Sequence, residues 1–210
     1  MNPCILIQAN GNNERLGKFF SQPKYELFYG KEKIIDIIIR NSLATGRDVY
    51  MAVREDTPLN FDSASINILP CTRTTSRIGT LLQCFPDLKK YDSIIIHDSD
   101  VIIAPDVLMH LSGDCIALGS YRLDGLKYGF VKLDSKFNYV QGNEKQEEED
   151  YITIGAYSVD YSRFSFYMKK NPKESLLYYY NQLETAGVVY SADHICLGDI
   201  NSYMENLWLL

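Results

Sequence analysis

The chain of 210 residues is short of positive charge, with 21 Lys and Arg against 27 Asp and Glu and a formal net charge of −6. A general nucleic-acid surface needs a basic stripe to neutralise phosphates, so no nucleic-acid partner is expected. A small anionic ligand stays open, because a few well-placed cations suffice for it. The five cysteines, Cys4, Cys71, Cys84, Cys115 and Cys196, are scattered and odd in number. None has the spacing of a zinc-ligand pair, which leaves reduced core thiols of a cytosolic protein as the expectation. The three histidines, His97, His110 and His194, show no ligand spacing either, and are read as structural. No apolar run approaches the length needed to cross a bilayer. The longest, Ile34 to Ile39, is interrupted by Asp36 and bounded by Arg40. Met1-Asn2-Pro3 lacks the basic flank and cleavage site of a signal peptide. A protein working in solution in the cytoplasm, with no membrane partner, is therefore expected.

What is present is alternation. Cys4 to Ile7, Asp48 to Val53, Ile66 to Leu69 and Ser93 to His97 read as short buried strands. Between them, Lys33 to Leu43, closed by Gly46, and Ile78 to Phe85, ended by Pro86, have helical spacing. Pro105 to Leu111 fits a helix with proline in its first turn. Strands separated by helices imply βαβ units and a mostly parallel sheet, whose chemistry gathers beyond the carboxyl ends of the strands. The second half reads differently. Ile116 to Tyr121, Gly129 to Leu133, Phe137 to Val140 and Ile152 to Val159 are strand-like, and Ser175 to Ala186 is a Tyr-rich amphipathic helix. The acidic run Glu147 to Asp150 reads as a solvated turn. With no repeat or linker, residues 1–210 form one expected domain, in two halves of about 1–112 and 113–210.

Two polar clusters fall where strands end. Ala9-Asn10-Gly11-Asn12-Asn13-Glu14-Arg15-Leu16-Gly17 offers backbone amides to a phosphate and an arginine fork to neutralise it, although surface turns often look similar. Asp98-Ser99-Asp100 closes the most apolar strand. Two carboxylates there repel unless a cation compensates, and hard oxygen ligands suit Mg²⁺ or Mn²⁺; a simple turn cap is the plainer alternative. Taken singly, Lys24 after Pro23 and the Glu144-Lys145 pair read as solvated charges. Tyr178-Tyr179-Tyr180 reads as core packing rather than a cage for a cation.

In succession these pieces resemble the nucleotidyltransferase family that makes nucleotide sugars and related activated alcohols. Its A-A-G-x-G-T-R-L/M loop and P-K are similar to Ala9 to Leu16 and Pro23-Lys24. Gly30-Lys31 and the helix near Ile34 resemble its G-K-P-L-I. Gly79-Thr80 stands where members pack a G-T against the base. Ser93 to Asp100 is similar to the strand whose last aspartate binds metal. Tyr128 to Asp134, Glu144-Lys145, Ile154 to Tyr157 and Asp199 to Tyr203 resemble the later motifs in order. Asn13 and Glu14 depart from the pattern, replacing its second glycine and its threonine. In length the chain looks closer to bacterial phosphocholine cytidylyltransferases and capsule-gene enzymes.

The resemblance implies a three-layer α/β/α Rossmann-like (GT-A-like) fold with a mixed, mostly parallel central sheet. It implies metal-dependent transfer of a nucleoside monophosphate from an NTP to a phosphorylated small metabolite, serving cell-surface polysaccharide precursors. The implied catalytic residues are Arg15 and Lys24. Ala9, Asn10, Gly11, Arg15 and Gly79 would bind nucleotide; Gly129, Glu144 and Lys145 would bind the acceptor, a sugar 1-phosphate or alcohol phosphate. Asp100 and Asp199 would hold Mg²⁺ or Mn²⁺. Partners beyond these substrates are open, a homo-oligomer included. Two other readings stand beside it. One is a GT-A type glycosyltransferase using Asp98-Ser99-Asp100 as a D-x-D site. The other is a catalytically silent nucleotide-binding homologue, to which Asn13 and Glu14 point.

Overall fold

The computed structural model describes residues 2–11, 23–74, 76–120, 129–144, 151–192, 194–197 and 203–204. The apolar runs of the first half become parallel strands: β1 (Pro3–Gln8), β4 (Val49–Arg54), β5 (Asn67–Cys71) and β6 (Ser93–Asp98). A two-residue hairpin, β2 (Phe28–Tyr29) and β3 (Glu32–Lys33), precedes α1 (Ile34–Leu43). The second half contributes β8 (Cys115–Ser120), β9 (Gly129–Leu133), β10 (Tyr139–Glu144) and the long β11 (Tyr151–Asp160). Among the described residues the main sheet has nine strands in the path β10-β9-β11-β6-β1-β4-β5, with β8 on β11 and β12 (Gly187–Tyr190) on β8. The sheet is mixed: β6, β1, β4 and β5 run parallel, and β11 joins β6 antiparallel through Ala156↔His97. A separate ribbon pairs β7 (Val101–Ile103) with β13 (His194–Cys196).

Period-2 alternation sorts the strand residues onto two faces. Ile5, Ile7, Met51, Val53 and Ile95 share one core with Ile34, Ile35 and Ile38 of α1 and Leu108 of α3 (Pro105–His110). Cys4, Leu6, Tyr50, Ile94 and Ile96 face the other side. There they meet Ile78 and Leu81 of α2 (Arg77–Cys84), Phe164 and Met168 of α4 (Tyr161–Lys170), and Tyr179 and Tyr180 of α5 (Leu176–Tyr180). The outcome is three layers, as expected. Each fully buried isoleucine of α1 is worth about 1.5–3 kcal/mol of transfer free energy, and Asp36 and Arg40 lie outside that stripe. Two 3₁₀ turns, Lys24–Glu26 and Phe85–Leu88, complete the described elements. No helix among the described residues is long and apolar enough to cross a membrane.

Two sequence expectations are corrected. The helix expected over 175–186 is only α5, because Asn181 leaves the helix to bind strand β10. Its Oδ1 accepts from Gly142 N (2.8 Å) and Tyr139 OH (2.6 Å), and its Nδ2 donates to Gly142 O (2.8 Å). The chain then turns toward β12. The strand expected at 137–140 begins at Tyr139 instead, since Phe137 takes a left-handed φ of 61° in a turn. Asp134 Oδ1 organises that turn by accepting from Lys136 N and Asn138 N at 2.8 and 2.9 Å.

Candidate active site

Parallel pairing sets the end of β1 against the end of β6, with Gln8 opposite Asp98. Beyond this edge Ala9 is buried and extends the ladder, its N–H donating to Ala52 O at 2.9 Å. Asn10, 3% exposed, reaches across to the segment between β5 and α2. Its Nδ2 donates to Thr72 O (3.1 Å) and lies 3.4 and 3.2 Å from the hydroxyls of Thr74 and Thr80. Its Oδ1 is buried with no hydrogen-bond partner among the described residues. Gly11 is exposed, with open space where a Cβ would stand. Ser76 caps α2 by accepting from Gly79 N at 3.0 Å. A Cβ on Gly79 would come within 3.1 Å of Ser76 Oγ and 3.2 Å of Thr74 Cβ, so glycine permits this close turn. Ala9, Asn10, Gly11 and Gly79 therefore lie around one end of the sheet.

The two carboxylates at and just beyond the end of β6 are met by different cations. Asp100, 7% exposed, forms an ion pair with Lys24 from the turn Lys24–Glu26. Asp98 accepts from Arg77 Nη2 at 2.7 Å, and the same guanidinium lies 5.3 Å from the centroid of the Tyr157 ring. Gln8 Nε2 donates to Arg77 O at 3.4 Å, tying the end of β1 to the first residue of α2. β11 makes room for this arrangement at Gly155, whose φ is 79°. A Cβ there would lie 3.1 Å from both Cβ and Oδ2 of Asp98 and 3.0 Å from Val101 Cγ2. The β8–β11 register shifts between Thr153 and Tyr157, around this glycine. Arg77, Tyr157 and Gly155 were not singled out as site residues from sequence. A cation between a capping serine and the Gly79-Thr80 pair was the available signal for Arg77.

His97 is 1% exposed, with Nδ1 2.7 Å from the Asp98 carbonyl oxygen. Burial pushes its imidazole down to about 4, so the ring is neutral near pH 7, as a structural histidine should be. Among the described residues no group of three His, Cys, Asp or Glu side chains is placed to hold a metal ion. The ribbon β7–β13 nevertheless returns the chain to the site: Leu197 N donates to Asp100 O at 2.8 Å, two residues before Asp199. On the acceptor side, Gly129 and Glu144 face one another as register partners of β9 and β10. The space beside Gly129 is filled by Leu177, whose Cδ1 would lie 2.4 Å from an added Cβ. Arg15, Lys145 and Asp199 lie outside the described residues, as do Asn13, Glu14, Tyr128 and the run Glu147 to Asp150.

The three-layer α/β/α arrangement, with its polar edge beyond β1 and β6, is a Rossmann-like fold. Solved structures share it across essentially the whole chain. A Bacillus anthracis protein described as a glucose-1-phosphate thymidylyltransferase, in complex with sucrose, superposes with a TM-score of 0.82 at 16% identity, covering 99% of this chain and 94% of that one. A UDP-glucose pyrophosphorylase complexed with UDP-glucose gives a TM-score of 0.79 at 15% identity, covering 100% and 98%. A nucleoside-diphosphate-sugar pyrophosphorylase from Vibrio cholerae gives 0.72 at 20% identity, covering 97% and 99%. By sequence, the chain matches no protein-family model and no curated protein. The chain has the Rossmann-like fold found in these sugar-phosphate nucleotidyltransferases.

Proposed function

We propose that this chain is a nucleotidyltransferase that transfers a nucleoside monophosphate from an NTP to a sugar 1-phosphate or alcohol phosphate and releases pyrophosphate. The observation that carries the reading is the pairing of Lys24 with Asp100 beside the Ala9–Gly11 loop and the Gly79 turn, in the fold those enzymes share. The acceptor phosphate attacks the α-phosphorus in line and pyrophosphate leaves. Such a reaction needs positioning and charge neutralisation more than covalent chemistry. In this reading Ala9 to Gly11 and Gly79 hold the nucleotide, while Arg15 and Lys24 offset charge on the phosphates. Gly129, Glu144 and Lys145 hold the acceptor. The product would serve as a precursor for cell-surface polysaccharide, made in the cytoplasm.

The donor set at Asp100 suits a hard divalent ion. A carboxylate that is nearly buried and already balanced by the Lys24 ammonium is a place built to face a cation. Asp100 and Asp199 would hold Mg²⁺ or Mn²⁺, which when bound supplies positive charge to the phosphate oxygens. The hydrogen bond from Leu197 to Asp100 supports bringing the two aspartates together.

A D-x-D glycosyltransferase would direct Asp98 and Asp100 to one ion, whereas here Asp98 is engaged by Arg77 at 2.7 Å. The discriminating experiment is a pyrophosphate-release screen of each NTP against a panel of phosphorylated acceptors, with Asp100→Asn and Asp199→Asn as controls. Pyrophosphate from one NTP–acceptor pair, lost in both variants, is expected. Release of nucleoside diphosphate from an activated sugar, without pyrophosphate, would overturn the reading. Nucleotide binding without turnover across the whole panel would identify a silent homologue instead.

A further inference from the structure

β5 ends at Cys71 and α2 ends at Cys84, and their sulfur atoms lie 3.3 Å apart, each residue 1% exposed. We propose that Cys71 and Cys84 are a modification site, a dithiol that closes reversibly to an intrachain disulfide when oxidised by a peroxide. The sulfurs are already in contact, so bond formation needs a shift of about an ångström rather than a rearrangement of strand and helix. The neighbouring groups give the two thiols different roles. Cys71 donates its S–H to Leu69 O at 3.5 Å, which leaves the S–H of Cys84 to serve the contact with Cys71. The hydrogen bond from Cys84 draws the Cys71 thiol below its ordinary value of 9.0, while the same contact and burial push Cys84 up. Cys4 and Cys115, by contrast, are pushed up by burial to about 12 and about 11, and neither touches another sulfur among the described residues.

Access to Cys71 is short. Among the described residues β5 is an edge strand of the sheet, and Pro70, Thr72 and Arg73 around Cys71 are exposed, so local fraying of this edge opens the thiol to a small oxidant. The Cys71 thiolate attacks one peroxide oxygen, the O–O bond breaks, and with one proton taken up water leaves; Cys71 is then a sulfenic acid. The Cys84 sulfur attacks the Cys71 sulfur, the S–S bond forms, the S–O bond breaks, and the hydroxyl leaves as water with the Cys84 proton. In sum two thiols lose two protons and two electrons, and one peroxide becomes two waters. The new bond closes the segment carrying Thr72, Thr74, Ser76, Gly79 and Thr80, so oxidation fixes the loop to which Asn10 is tied.

The test treats the full-length protein with hydrogen peroxide and follows thiols, peptides and melting. Titratable thiols should fall from five to three, a peptide pair joined through Cys71 and Cys84 should appear, and dithiothreitol should restore both. Closing this short loop should raise Tm by about 5 °C or more. In Cys84→Ser the sulfenic acid should persist on Cys71 and be trapped by dimedone, whereas Cys71→Ser should leave Cys84 unreacted. Five surviving thiols, sulfinic acid on Cys71 without a cross-link, or a cross-link through any other cysteine would each overturn the proposal.

Discussion

Replacing Lys24 by methionine asks whether Asp100 faces a metal or merely a lysine. Methionine keeps the unbranched length of the side chain but removes the ammonium. In the ion pair the Lys24 side chain is 21% exposed and that of Asp100 9%. Stranding one partner of a fully buried pair costs about 3–5 kcal/mol, and an exposed pair is worth about 1 kcal/mol or less. This pair lies between, so Lys24→Met should cost about 2 kcal/mol, or roughly 4–8 °C in Tm for a chain of this size. Manganese should then behave differently in the two proteins. A ligand that binds only the folded state adds about 2.7 kcal/mol when present at about 100 times its Kd. In the wild type the ion must first displace an ammonium from Asp100; in the variant that ammonium is gone. Calorimetric or fluorescence melting without nucleotide should show saturating Mn²⁺ restoring most of the loss in Lys24→Met and shifting the wild type less. The double variant Lys24→Met/Asp100→Asn should show no response. Equal Mn²⁺ shifts in wild type and Lys24→Met, or none in either, would refute the assignment of Asp100 as a metal ligand.

Gly155→Ala should destabilise the protein by about 2 kcal/mol in urea melts, combining the roughly 1–2 kcal/mol cost of left-handed backbone with the new contact on Asp98; unchanged stability would mean β11 relaxes there freely. His97, held to about 4 against an ordinary 6.5, leaves the unfolded chain binding more protons between those values. Its contribution is therefore fully present above about pH 6.5 and falls away by about 3 kcal/mol as pH drops to 4. Comparing urea midpoints of wild type and His97→Gln at pH 7 and pH 4.5 checks this, and a similar pH slope in both would count against it. Lys145→Ala should raise the KM for the acceptor far more than that for the NTP, and equal changes would return Lys145 to the role of a surface charge.

The parallel half of the fold was legible because its signals are strong and local. Cys4 to Ile7 and Ile94 to Ile96 are unbroken apolar runs, and Ile34 to Leu43 has helical spacing ended near Gly46. The shorter elements carry too few residues for periodicity to register: β7 and β13 have three residues each and the β2–β3 hairpin two per strand. The tyrosine-rich stretch after Ser175 kept a helical pattern past the point where Asn181 bonded to β10, a tertiary contact that no local pattern encodes. At the site, the positions of Asp100, Gly79 and Asn10 at strand and helix ends followed from the order of elements. The division of the two carboxylates between Lys24 and Arg77 did not. Asp98 and Asp100 stand two apart in sequence and look like one pair, and only the fold assigns each its own cation.

β11 is made late yet completes the centre of the sheet. It covers the edge of β6 opposite β1, through register partners such as Val159 with Ile94 and Tyr157 with Ile96. A chain emerging from the ribosome reaches Asp98 well before Tyr151 exists. In that interval β6 presents Ile94, Ile95 and Ile96 on a strand with one side unpaired, a template on which a second nascent chain can add a strand. Nothing local to Ser93–Asp98 guards this edge: proline is absent from the strand, and its one acidic residue stands at the far end. That edge is therefore closed only once the second half of the chain, with Tyr151–Asp160, has been made.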